Sequence, residues 1–502
     1  MSSVMFRMNE TNYMKFPLFL ILLFMATGLL VSATEQPVRL KPTSWRPTVM
    51  DPLNVHQTYL SGSSHAQDDH ADTLNVLALR VQFVRDSLKT TTGDGHFILA
   101  DTSEYSIDRP PHNKTYFEHQ LLALHNYFHT VSNGQLSIVS DVLPAGETDA
   151  YQLSQNMVYY SGEEDEERQQ LRWAELLRDA VQAAQADAPN FSDYDAFIIF
   201  HAGVGNDFAF DFSETPFDIQ SAFIDFETLK ETLGEDDPNF RGIPAGEEFF
   251  IQEAIILPEQ QSQKGIDLGL LGTATLLMGS QIGMPSLFNT ETGRAGIGMW
   301  GLMDQGSYNY FGLIPAYPSA WMKLYMGWEE PVVVNSLQDA LLGTANTTSA
   351  PRLMKIPINA KEYFLLENRQ EDWNGDGITY GRDVDGTRVK FDSLGTIVTE
   401  PGLGVITEID EYDYGLPGSG VLIWHIDERV IEEHLATNTI NNNPEHRGVD
   451  LVECDGPQDI GQVYRQFTAG YGTEAGDYWD PYWAGNISHQ YVNGEQIGRA
   501  HV

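Results

Sequence analysis

Between Asp267 and Glu291 the chain has no Asp, Glu, His, Lys, Arg or Cys, although it is strongly acidic elsewhere. Within that interval, the stretch Leu276-Leu277-Met278-Gly279-Ser280-Gln281-Ile282-Gly283-Met284-Pro285-Ser286-Leu287-Phe288-Asn289 opens in a helix that is apolar nearly all round. Such a helix has no face to offer water, so it belongs inside a large core with other elements packed about it.

The chain has the means to build that core. Its 502 residues are 42% apolar and 11% aromatic, enough for roughly two to three domains. The 71 acidic and 29 basic residues leave a formal charge of −42, which argues against nucleic acid as a partner, because phosphate binding needs clustered cations. Such acidity fits an extracellular or salt-adapted protein and carboxylate-rich loops that hold calcium; most of the charges read as solvated surface. Cys454 is the single cysteine, so no intramolecular disulfide can form, and it reads as a free thiol rather than a nucleophile.

Arg7 and Lys15 precede an apolar run over residues 16–31 that ends in Val31-Ser32-Ala33. This predicts a signal peptide over 1–33 and export to the cell surface or medium. The alternative is an uncleaved signal anchor, which would be the chain's one contact with a membrane. Residues 34–74 read as a linker or pro-segment rich in Pro, Ser, Thr, Asp and His.

Order is expected from a buried strand over 74–83, followed by a helix over 116–129 and an Asn133-Gly134 turn into a strand over 135–140. An amphipathic helix over 166–184 places Leu171, Ala174, Leu177 and Ala180 on one face. A core strand over 194–200 leaves His201 at its end, a position where α/β proteins often bind ligands. Residues 75–330 thus predict an α/β (α+β) domain. Short β runs at 363–366, 404–409 and 420–426 predict a β-rich, sandwich-type domain over 331–502. The final hexapeptide, residues 497–502, matches what a common sequencing adapter encodes, so this second domain is expected to continue beyond it.

Several segments together resemble the immune inhibitor A family of secreted bacterial metallopeptidases, over roughly residues 75–465. Tyr127-Phe128-His129-Thr130-Val131-Ser132-Asn133-Gly134-Gln135-Leu136 is similar to its helix-to-strand passage, and Phe200-His201-Ala202-Gly203-Val204-Gly205-Asn206-Asp207 to its strand-end loop. Gly298-Met299-Trp300-Gly301-Leu302-Met303-Asp304 looks like the methionine turn beneath the zinc, with Met303 as its methionine. Glu362-Tyr363-Phe364-Leu365-Leu366-Glu367-Asn368-Arg369-Gln370 and Gly418-Ser419-Gly420-Val421-Leu422-Ile423-Trp424-His425-Ile426-Asp427 resemble its carboxy-terminal β-rich part. The resemblance implies a zincin-like fold.

In such enzymes the apolar helix carries H-E-x-x-H-x-x-G-x-x-H/D, two histidines one turn apart with a glutamate base and a third ligand after a glycine turn. Laid over this chain, the histidines fall on Leu276 and Ser280, the glutamate on Leu277, the glycine on Gly283 and the third ligand on Ser286. Leucine cannot bind zinc and neutral serine binds it poorly, so neither zinc nor catalysis is expected from this frame. The reading is a secreted pseudopeptidase that binds a peptide, protein or surface glycan.

The alternative is an active extracellular zinc endopeptidase with ligands from elsewhere, such as His125, His129 and His201. One ion site has better spacing. Asp372, Asn374, Asp376, the Ile378 carbonyl and Asp383 occupy calcium-loop positions in Asp372-Trp373-Asn374-Gly375-Asp376-Gly377-Ile378, with glycine at the sixth.

Overall fold

A computed structural model describes residues 72–101, 105–161, 166–187, 189–207, 215–263, 265–336 and 340–486, all within one compact unit. The leader, the linker up to residue 71 and the terminal hexapeptide lie outside the described residues.

The amino-terminal part is built on strands β1 (Asp72–Gln82), β2 (Leu136–Leu143), β3 (Tyr151–Gln152), β4 (Ala196–Val204), β5 (Ala222–Ile224) and β8 (Ala254–Gln260); β6 (Ile243–Pro244) and β7 (Phe250–Ile251) form a separate hairpin. The main sheet runs β2-β1-β4-β8-β5, with β3 beside the end of β1. All its pairings are parallel except that β5 runs antiparallel to β8 at the edge. Strands β4 and β8 are buried along their whole length, which is why they read as unbroken apolar runs rather than alternating ones. In β1 the buried Arg80 is held by the carbonyls of Pro144, Gly146 and Glu147.

Helix α1 (Lys114–Val131) begins at Asn113, whose side chain accepts from the Tyr116 amide, and packs against β2. Helix α2 (Glu166–Ala184) contacts β1, β5, β8 and the short helix α3 (Phe226–Leu233). Helix α4 (Leu270–Gln281) is the apolar segment, and all 12 of its residues are buried. It packs against α1, β5 and β8, so the core forms around it as its composition requires.

Helix α5 (Ala320–Tyr325) leads into two further sheets. Their strands are β9 (Val332–Val333), β10 (Leu353–Pro357), β11 (Glu362–Arg369), β12 (Ile378–Arg382), β13 (Arg388–Asp392), β14 (Ile397–Thr399), β15 (Glu408–Ile409), β16 (Gly420–Asp427) and β17 (Val449–Leu451). One sheet runs β17-β16-β11-β10-β9 and the other β14-β13-β12-β15. The run at 404–409 is strand only at its last two residues. Helix α6 (Glu428–His434) follows β16 and is capped by Asp427.

In β11 the buried side chains are Tyr363, Leu365, Glu367 and Arg369, and helix α5 packs against β11 and β16. Lys323 of α5 pairs with Glu367 at 2.7 Å, and Arg369 bridges Glu367 and Asp413. The Trp424 indole donates to Glu367 at 3.0 Å. Removing one partner of such a buried network typically costs about 3–5 kcal/mol, because a charge is left without a counterpart. The architecture is mixed α/β, and one hydrophobic core includes residues from both sides of position 331. No helix among the described residues is long and apolar enough to cross a membrane.

Candidate functional site

The residues in the metal-ligand frame are packed rather than presented. Leu276 and Leu277 are buried in α4, and the Ser280 hydroxyl bonds back to the Leu276 carbonyl at 3.5 Å. Burying each leucine contributes about 1.5–3 kcal/mol. Gly283 has φ +89°, a left-handed conformation that lets the chain turn directly after the helix. Beneath α4 lies Met303, whose sulfur would stand 2.6 Å from a Cβ placed on Gly279. The turn that carries Met303 is held by Asp304, whose buried carboxylate accepts from the amides of Gly296, Ile297 and Gly298 at 2.7–2.8 Å. Burial nonetheless pushes Asp304 up to about 6.

Ser286 does not face open space. Its amide donates to Asn438 Oδ1 at 2.8 Å, and Asn438 Nδ2 donates to its hydroxyl at 3.1 Å. Asn441 donates to the Leu287 carbonyl, and Asn442 accepts from the Thr290 amide. Three asparagines from the carboxy-terminal part therefore seal the 286–290 segment. The Asn-rich run was visible in the sequence, but nothing local shows which segment it covers.

The alternative histidine ligands do not meet. His125 and His129 stack on α1 with ring centroids 5.5 Å apart, and His125 Nδ1 accepts from the Ile138 amide. His201 is not at a strand end in a cleft: β4 continues through Val204, and the ring is fully buried. Its Nδ1 bonds the Ala202 carbonyl and its Nε2 has no partner; burial lowers its pKa to about 4.

A second buried histidine gave no sequence signal. His112 Nδ1 lies 2.6 Å from Glu259 Oε2, and its Nε2 bonds the Asp108 carbonyl. Burial alone would lower the His112 pKa, yet the Glu259 carboxylate holds it above its ordinary value. Glu259 also accepts from the Ile98 and Gly203 amides, and Asp108 accepts from the Leu270 amide at the start of α4. The imidazole is fully buried with internal partners, and it holds the backbone of Asp108, whose carboxylate receives the first amide of α4.

The 372–378 loop is only partly as expected. Asp372 accepts from the amides of Gly375, Asp376 and Gly377, and Gly377 has φ +76°, the turn that a calcium loop needs at its sixth position. Asp383 does not close this loop. Strand β12 intervenes, and five residues at about 3.3 Å each carry Asp383 some 16 Å away. Its carboxylate instead accepts from the amides of Asp385, Thr387 and Gly404. The acid beside the loop is Glu411, whose Oε1 accepts from the Trp373 amide at 3.1 Å. Burial, with Asp372 and Asp376 adding repulsion, pushes Glu411 up to about 7.

Among the described residues, one group of three or more possible metal-ligating side chains has its ligand atoms all within 4.8 Å: Glu453, Asp455 and Asp480. Burial foremost, then Asp480, pushes Glu453 up to about 9. Cys454 between them is buried, and burial pushes its thiol up to about 12, which makes it a poor nucleophile.

No protein-family model matches the chain, and a search of curated proteins finds no match.

Proposed function

We propose that this chain is an exported, catalytically silent relative of the immune inhibitor A-type metallopeptidases. In this reading it keeps a zincin-like α/β fold and a sandwich-type β-rich part, and acts by binding a peptide, a protein or a surface glycan. One observation carries the reading: Leu276, Leu277 and Ser280 are packed into the core while both the amide and hydroxyl of Ser286 are engaged by Asn438. A zinc peptidase needs imidazole or carboxylate donors converging on an open coordination position. Here apolar packing stands where donors would, and the Ser280 and Ser286 hydroxyls each have a hydrogen-bond partner, so these four positions leave no unpaired polar group. Met303 under Gly279 and the left-handed turn at Gly283 support the family frame. The leader over 1–33 supports export, and the 372–378 loop supports calcium as a structural ion.

The test is metal analysis and proteolysis on one purified sample. After dialysis against zinc, the chain is expected to retain far less than one zinc per molecule and to leave casein intact. One tightly held zinc per chain together with chelator-sensitive cleavage overturns the reading.

A further inference from the structure

We propose that His125 is a proton-operated cap on the free edge of the main sheet, holding the outer amide of Ile138 while its ring is neutral and releasing it when the ring takes a second proton. Strand β2 is the outermost strand of that sheet, so amides on its far side have no strand to meet. Helix α1 and its C-cap Ser132 meet two of them instead. The Leu136 amide donates to the Ser132 hydroxyl at 2.9 Å, and the Ile138 amide donates to His125 Nδ1 at 3.0 Å. The turn between helix and strand fixes both caps. Asn133 and Gly134 are left-handed, with φ +57° and +78°, and the Gly134 amide donates back to the His129 carbonyl at 2.7 Å. Amides covered in this way keep the edge from pairing with another chain.

The two caps differ in one chemical respect. The serine hydroxyl does not titrate in the physiological range, so its oxygen goes on accepting. An imidazole nitrogen accepts only while it keeps its lone pair, and in an imidazolium both nitrogens are donors. An amide N–H facing a ring N–H sets two donors against each other, so protonation of His125 and its bond to Ile138 exclude one another. His129 sets the threshold lower. Its ring stacks on His125 with centroids 5.5 Å apart and 18° between the planes, so a charge on one opposes a charge on the other. Burial of the half-buried His125 ring first, and then His129, hold its pKa below the ordinary 6.5. The other elements packed on α1 leave the ring alone. Helix α4 has no titratable side chain, Asp141 of β2 accepts from the Tyr194 hydroxyl, and Glu408 of β15 does not shift His125. The cap is therefore closed above pH 6.5 and opens on acidification below it.

Hydrogen exchange of the full chain, resolved to single amides at pH 7.5 and pH 4.5, tests this. Protection factors divide out the intrinsic pH dependence of exchange, and Leu136 is the internal reference because its cap does not titrate. In wild type the protection of Ile138 relative to Leu136 is expected to fall about tenfold or more on acidification. In His125→Asn the side-chain oxygen stands where Nδ1 stood, and the ratio should not change with pH. His129→Gln should move the midpoint of the wild-type change to higher pH, because the opposing charge is gone. A constant ratio in wild type, with both amides losing protection together, overturns the cap. An equal fall in His125→Asn overturns it too, since another group would then be responsible. An unmoved midpoint in His129→Gln overturns the part assigned to His129.

Discussion

His201 is the residue whose environment most sharply decides its behaviour. Its ring is fully buried in β4 beside Phe83, and burial lowers its pKa from 6.5 to about 4. Between these values the unfolded chain takes up a proton that the folded chain refuses. The contribution of His201 to stability is therefore whole above pH 6.5 and is lost as pH falls towards 4, by up to about 3 kcal/mol. His201→Gln removes that dependence. Urea unfolding of wild type and variant at pH 7 and pH 4.5 should show the change in stability on acidification to be more favourable in the variant than in wild type, and identical changes would mean that the imidazole is not held neutral. The same residue shows why a sequence reading can misplace a site. His201 lies where the apolar run 196–200 stops, so it reads as a strand end, but the strand continues because β8 pairs with it as far as Val204.

At the scale of elements, α4 was legible as an apolar helix around Leu276 and Leu277, because burial on all sides leaves a compositional mark, but its start at Leu270 was not. Strands β1, β4, β11 and β16 were legible for the same reason, as continuous or alternating apolar runs. The ties that seal them were not. Ser286 meets Asn438 and His112 meets Glu259 across 152 and 147 positions, and no local spacing encodes such pairings. Asp383 had suitable spacing for a calcium ligand, but an extended strand lay in between. The seating of α4 makes a prediction that runs against helix propensity. Alanine normally favours a helix over glycine by about 1 kcal/mol. At Gly272 a Cβ would meet the Ser307 carbonyl oxygen at 2.1 Å and the Gly312 Cα at 2.7 Å, both backbone atoms that cannot retreat. At Gly279 the obstacle is the Met303 sulfur, the adaptable end of a flexible side chain. Gly272→Ala should thus destabilise by about 2–3 kcal/mol and Gly279→Ala by about 1 kcal/mol or less. Denaturant unfolding checks the order, and a neutral Gly272→Ala would mean that α4 does not approach the 307–312 turn this closely.

For the whole molecule the governing quantity is charge. A formal charge of −42 opposes compaction at neutral pH, and several carboxyls inside the fold add to this. Burial raises Asp218 and Asp304 to about 6 and Glu253 to about 7, against ordinary values of 3.8 and 4.5. For each of these the folded chain holds a proton that the unfolded chain has released, so stability falls as pH rises through the window from about 4 to about 7. His201 acts in the opposite sense below pH 6.5 and offsets part of the effect. The carboxyls outnumber it, and self-repulsion grows in the same direction as they ionise. The chain should accordingly be more stable at pH 5 than at pH 8 by something on the order of 3 kcal/mol. Because exposed repulsion is screened over about 10 Å at 0.1 M salt, added sodium chloride should raise the melting temperature at pH 8 more than at pH 5. Melting curves at the two pH values in EDTA, with and without salt, test this directly and keep calcium out of the comparison. A melting temperature that is flat between pH 5 and pH 8, or equally salt-sensitive at both, would show that neither the buried carboxyls nor the net charge governs stability here.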